Sequence, residues 1–148
     1  MEFQDSCQFD TLQKRYMFRE QKYTIVKPNA AFPLYTEYEK YFKVDEGTIF
    51  AYNNTIYTSN DLPDDFIAHE KVHLRQQNNI GCDNWVSLYL RDKDFRLKQE
   101  LEAYRYQLTQ IKDKNKRSKA QTEFCTILSS EMYGNMIDLE EAKALLKE

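Results

Sequence analysis

The stretch "AHEKVHLRQQ", residues 68–77, holds both histidines of the chain, His69 and His73, with Glu70 directly after the first. If the stretch is helical, residues four apart lie on one face, one turn above the other, so both imidazoles can aim at one point. Zinc binds imidazole nitrogen at about 2.0–2.1 Å, a distance that two rings a turn apart can satisfy together. Glu70 lies roughly 100° further round the helix. From there it can reach a water held at such an ion, though it cannot ligate beside the histidines. H-E-x-x-H is therefore a pattern of two metal ligands and a general base. The competing reading is an ordinary surface helix with two exposed histidines, and the rest of the chain has to decide between them.

The flanks support the helix. "SNDLPDDF" brings cap residues, a proline and two aspartates, all helix-start features, and Gly81 is a stop signal. The spacing predicts a helix from Pro63 to Asn78. A zinc enzyme then needs a third protein ligand and an open fourth position. No third histidine exists and no cysteine is suitably spaced, so the ligand has to be a carboxylate. The next long helix, "DKDFRLKQELEAYRYQLTQIK", has an apolar stripe of Phe95, Leu97, Leu101, Tyr104, Leu108 and Ile111. Glu100 falls within that stripe, three after Leu97 and four before Tyr104. Glu102 groups with Lys98, Gln99 and Arg105 on the solvated side. A carboxylate on an apolar face is costly unless a charged group or a metal compensates it. Glu100 is thus the expected ligand and Glu102 the runner-up.

Elsewhere, "TEYEKYF" puts Tyr38, Tyr41 and Phe42 at helical spacing, and "KYTIV" (Lys22–Val26) is rich enough in β-branched and aromatic residues for a strand. Thr48–Tyr52 and Thr55–Thr58 flank Asn53-Asn54, which predicts a hairpin. A short helix is expected over Asp10–Gln21, with a loop at "KPNAAFP". From Asp83 the chain reads as wholly helical. "AQTEFCTILSSEMY" forms a helix broken by Gly134, and "DLEEAKALLKE" opens on a capping box of Asp138 and Glu141. The expected fold class is α+β, mostly α. A small β-hairpin or sheet packs on the histidine-bearing helix, followed by a C-terminal helical part. The chain reads as a single domain over residues 1–148, with its core in 48–148 and an N-terminal part, 1–47, without an assigned role.

Composition narrows the function classes. Three glycines leave little room for a phosphate-cradling loop, which argues against nucleotide binding. A net charge of −3 makes nucleic acid an improbable partner. The basic run "KDKNKRSK", Lys112–Lys119, reads as a solvated loop between helices, and less readily as a contact for an acidic partner. Eleven tyrosines and nine phenylalanines imply an aromatic core. Cys7, Cys82 and Cys125 are odd in number and scattered, which fits a reducing compartment rather than a disulfide framework. The N-terminus lacks a signal-peptide pattern and no apolar run approaches the ~20 residues of a membrane span. The expectation is a cytoplasmic protein with no membrane partner.

With these residues in view, "AHEKVHLRQQ" followed by "FRLKQELEAYRYQ" resembles the gluzincin class of zinc metallopeptidases. The E-x-x-A pattern of HtpX-type and ImmA-type peptidases falls on Glu100 and Ala103. The size is similar to that of the minimal members called minigluzincins. The run from Thr48 to Glu148 also resembles small metallopeptidase-like proteins of tailed phages and bacteria. The chain departs from the HtpX type in having Tyr104 after the alanine, and in lacking membrane helices. The resemblance implies Zn²⁺ on His69, His73 and Glu100, Glu70 as general base, and a peptide or protein substrate paired with an edge strand. It also implies a hydrogen-bond donor to the tetrahedral intermediate. With no histidine left, Tyr104, Tyr106 or Tyr133 would have to serve, although a packed aromatic is the better reading of each. Asp65, Asp92 and Asp94 are conceivable partners for the ligand imidazoles. Two other readings stand beside the peptidase: a catalytically silent zinc-binding module with a regulatory or interaction role, and a metal-free helical interaction protein.

Overall fold

The computed structural model describes residues 25–147. The helix expected over Asp10–Gln21, Cys7 and the first part of the Lys22–Val26 strand lie outside those residues. The described chain is mostly helical with a small sheet, an α+β arrangement that matches the expected class. The three strands are β1 (Ile25–Lys27), β2 (Phe50–Tyr52) and β3 (Thr55–Tyr57). Their order is β1-β3-β2, with β1 parallel and β2 antiparallel to β3. Asn53 and Asn54 close the hairpin with φ of 51° and 62°. Two successive left-handed residues are what a tight, right-twisted hairpin turn requires, and asparagine tolerates them.

Helices follow in the order α1 (Tyr35–Glu39), α2 (Asp64–Ile80), α3 (Cys82–Arg91), α4 (Lys93–Thr109), α5 (Lys114–Leu128) and α6 (Leu139–Leu146). Helix α2 starts with Asp64 and Asp65 in its first turn and ends at Gly81, at φ 94°. Asp92 caps α4 by accepting from the Asp94 and Phe95 amides, and the capping box of Asp138 with Glu141 opens α6. Tyr38 and Phe42 are buried as the spacing predicts, while Tyr41 is 43% exposed because α1 stops at Glu39.

Two expectations need correction. The basic run is not a loop: Asp113 accepts from the amides of Asn115 and Lys116, so α5 begins at Lys114 and carries most of the charges in its first turns. Nor does that helix continue to Tyr133. It stops at Leu128, and the Ser130 side chain then caps a separate 3-10 turn over Glu131–Tyr133. Serine hydroxyls that bond nearby backbone compete with helical hydrogen bonds, and two in succession end the helix here.

Two main apolar clusters hold these elements. Phe32, Tyr38, Phe42, Phe50, Tyr57, Trp85 and Tyr89 join the sheet and α1 to α3. Leu101, Tyr104, Phe124, Leu128, Tyr133, Met136 and Leu146 join α4 to α5, the 3-10 turn and α6. A smaller cluster of Ala51, Ile56 and Leu74 seats the hairpin on α2. Gln77, 1% exposed, reinforces that seat: its amide donates to the Ala51 carbonyl at 2.8 Å and accepts from the Asn53 amide at 3.1 Å. Cys82 and Cys125 are free thiols. Among the described residues no helix is long and apolar enough to cross a membrane.

Gly134 terminates the 3-10 turn at φ 79°, and a β-carbon there would sit 3.5 Å from both the Phe42 ring and the Arg96 guanidinium. Left-handed backbone costs an alanine about 1–2 kcal/mol, and asparagine less. Gly134→Ala should lower unfolding free energy by about that amount in urea titrations, with Gly134→Asn closer to wild type. Equal stability of all three proteins would contradict the assignment.

Candidate metal centre

Helices α2 and α4 lie side by side and antiparallel, since His69 meets Gln107 while Gln76 meets Gln99 and Glu102. The face of α4 turned to α2 is polar yet buried. Arg96, Glu100 and Gln107 recur there at helical spacing with Ala103, which is fully buried. Opposite stand His69, His73 and Gln76 on α2, each 5% exposed.

Glu100, 2% exposed, lies between the two imidazoles. His69 Nε2 is 3.2 Å from its Oε1, and His73 Nε2 is 3.3 Å from Oε1 and 3.2 Å from Oε2. One ligand atom from each residue falls within 4.8 Å of the others. Two ligands held about 2.0–2.1 Å from one tetrahedral ion stand about 3.3–3.4 Å apart, so the nitrogen-to-carboxylate separations fit the edges of such a site. This buried group could hold a metal ion.

The outer ring nitrogens are also engaged. His69 Nδ1 is 2.9 Å from Gln107 Oε1, and Gln107 Nε2 donates to Asp65 Oδ2 at 2.7 Å. His73 Nδ1 is 2.9 Å from Gln76 Oε1, while Gln76 Nε2 donates to Glu102 at 2.8 Å and to the Gln99 carbonyl at 3.1 Å. A carboxylate can only accept, so each glutamine has to turn its oxygen towards the imidazole. Each Nδ1 therefore carries the proton and each Nε2 points inwards to the ligand position. Asp65, one of the three conceivable partners, stands one step behind the His69 ring, with Gln107 between them. Asp92 caps α4, Asp94 sits in the first turn of that helix, and neither touches an imidazole. Glu102, the runner-up ligand, is held by Gln76 and by Arg75 at 2.5 Å, outside the group.

Three tyrosine hydroxyls surround the carboxylate. Tyr89 donates to Glu100 Oε2 at 2.5 Å and Tyr133 to Oε1 at 3.2 Å, while Tyr104 shares a 2.8 Å bond with Tyr133. Burial, and then the Glu100 charge, push all three phenols well above their ordinary range, so they remain protonated donors. Tyr106 is 37% exposed and lines neither cavity that reaches Glu70.

Glu70 is 7% exposed, and among the described residues no side chain hydrogen-bonds its carboxylate. Burial raises its pKa, with His69 and His73 opposing and Glu100 adding to the rise. A small cavity of about 60 Å³ brings Glu70 together with His69, His73, Glu100, Tyr89 and Tyr133. A larger one of about 490 Å³ reaches His69 and Glu70 from the side, past Ile49, Phe66, Phe124, Ile127 and Met132. Of the residues around Glu100, the sequence reading did not identify Gln76, Gln107, Tyr89 or Arg96. The signal available for Gln107 and Arg96 was their spacing of seven and four from Glu100. Compared with known proteins, the chain matches no protein-family model, no curated protein and no solved structure.

Burial alone would lower the His73 pKa, but Glu100 overrides it and raises the ring to about 9, while the two histidines hold Glu100 below its ordinary 4.5. In the metal-free protein a raised histidine contributes stability that is fully present below 6.5 and lost as pH rises through about 9. The depressed carboxylate contributes above 4.5 and loses its effect as pH falls through its lowered value. A metal ion at Nε2 displaces the His73 proton, so zinc binding at pH 7 should release about one proton per ion. Calorimetry in buffers of differing ionisation enthalpy measures this, and buffer-independent heats would contradict it. Gln76→Leu and Gln107→Leu should each weaken zinc affinity about 10–100-fold in chelator competition. Unchanged affinity in both would remove their role in fixing the rings.

Proposed function

We propose that this protein is a zinc-dependent metallopeptidase of gluzincin type. The observation that carries the reading is one buried group, His69, His73 and Glu100, with Glu70 facing the same cavity one residue along α2. A zinc ion held by those residues would supply a Lewis acid that acidifies water and polarises a carbonyl. Zinc suits two imidazoles and one carboxylate, a set that leaves a coordination position open. Glu70 takes the proton from the attacking water and hands it to the leaving amine. Tyr133 is the candidate that borders both cavities, but its one hydroxyl proton is given to Glu100 Oε1, so it serves the carbonyl oxygen only by exchanging that bond as charge develops there.

Strand β2 lies at one edge of the described sheet, so an extended peptide can add to it. Gln77 already occupies the Ala51 carbonyl and the Asn53 amide. The Thr48 amide is bonded to the Asp45 carbonyl and the Thr48 carbonyl to Asn29, so the Ile49 backbone, beside both cavities, is the part nearest the site to which substrate can add. The apolar walls of the larger cavity favour an apolar side chain next to the cleaved bond.

One observation favours a second reading, a catalytically silent zinc-binding module with a regulatory or interaction role. All four residues of the H-E-x-x-H and Glu100 set are at most 7% exposed, so substrate reaches them only through the cavities beside them. The two readings part in a peptide-library assay of zinc-loaded protein. The peptidase reading expects cleavage by wild type and a loss of about 10²–10⁴-fold in Glu70→Gln with zinc retained. Glu100→Ala should lose most of its zinc. Cleavage that persists in Glu70→Gln would refute the proposed base, and zinc binding without cleavage by wild type favours the silent module.

A further inference from the structure

We propose that Arg96 is a positioning residue that sets the orientation of the Glu100 carboxylate without touching it, by gripping the two segments whose tyrosines donate to it. The inference rests on the reading of Glu100 as a metal ligand. Arg96 lies one turn before Glu100 on α4 and is 6% exposed. Among the described residues no carboxylate stands within ion-pair distance of it. Its donors go to backbone instead: Nη1 to the Tyr89 carbonyl at 2.6 Å and the Leu90 carbonyl at 3.5 Å, and Nε to the Tyr133 carbonyl at 3.3 Å. The guanidinium lies over the Phe42 ring, 4.9 Å from its centroid, and 5.9 Å from that of Tyr89.

Capping the last carbonyls of α3 would by itself explain one arm of this fork. It does not explain the other arm, which crosses to the 3-10 turn. The two residues so joined, Tyr89 and Tyr133, are those whose hydroxyls meet opposite oxygens of Glu100. A backbone carbonyl fixed at one end of a tyrosine and a hydroxyl bond at the other leave the ring little freedom. Arginine is suited to this because its planar, rigid fork can serve two segments at once, whereas a lysine ammonium is a single point on a flexible stem. Gly134, at φ 79°, lets the chain turn directly after Tyr133.

The test uses the purified full chain with Arg96→Met and Arg96→Lys, each in the wild-type and in the Tyr89→Phe/Tyr133→Phe background. Zinc affinity is read by chelator competition at a temperature where circular dichroism shows the variant folded. Arg96→Met should weaken zinc binding about 10–100-fold in the wild-type background and add little in the double-phenylalanine background, where no hydroxyl remains to be placed. A purely structural arginine would cause the same loss in both backgrounds, and that result overturns the proposal, as does no loss in wild type. If Arg96→Met does not fold, Arg96→Lys is read in the same way. A crystal structure of metal-free Arg96→Lys gives a metal-independent answer. Displacement of either hydroxyl from Glu100 supports the proposal, and both hydroxyls still bonded overturns it. Failure of wild type to bind zinc contradicts the proposed function, and this structural arm still decides the role of Arg96.

Discussion

A carboxylate buried to 2% exposure between two helices cannot stay charged without compensation, and the arrangement around Glu100 meets that constraint. Removing an ion from water costs several kcal/mol even after relaxation, so attraction and hydrogen bonds have to recover it. Here two imidazoles approach one side and two tyrosine hydroxyls donate to its two oxygens. A divalent cation would neutralise the same charge more completely. The sequence and packing of α2 and α4 follow from this demand. Both helices turn polar residues inwards, and the apolar clusters on either side hold the polar seam in place.

The seam is organised in layers. The glutamines between histidine and outer carboxylate fix which nitrogen of each ring is protonated, and they do so through acceptors that admit only one amide orientation. Neutral glutamines leave the imidazoles less electron-rich than directly bonded carboxylates would. The consequence is a site whose negative charge is concentrated on Glu100 and Glu70. Glu70 differs from its neighbours in having no hydrogen-bond partner among the described side chains.

Much of this arrangement was legible in the sequence because it depends on periodicity. The four-residue spacing of His69 and His73 is local and becomes a geometric fact once the helix forms. The same holds for the Asn53-Asn54 turn and the capping box at Asp138. Glu100, by contrast, read as part of an apolar stripe, lies beside that stripe in a buried polar seam with Arg96 and Gln107. Residues whose role depends on what lies opposite were not legible. Gln76, Gln107 and Arg96 are polar types that ordinarily face water, and only the antiparallel docking of α2 on α4 buries them. Tyr89 fell in a stretch read only as helical, whereas its hydroxyl reaches Glu100 on the next helix. The extent of α5 was missed because a single cap, Asp113, outweighs the repulsion among the lysines that follow it.

The central claim is that His69, His73 and Glu100 hold one metal ion with a coordination position left open. Cobalt(II) titration of metal-depleted protein tests it most directly, because visible absorption reports both stoichiometry and geometry. The account predicts saturation at one cobalt per chain, with the intense bands of a four-coordinate site that change when a small anion is added. It also predicts that the bands vanish in Glu100→Ala and persist in Glu102→Ala. A featureless titration, or bands indifferent to Glu100→Ala, would contradict it.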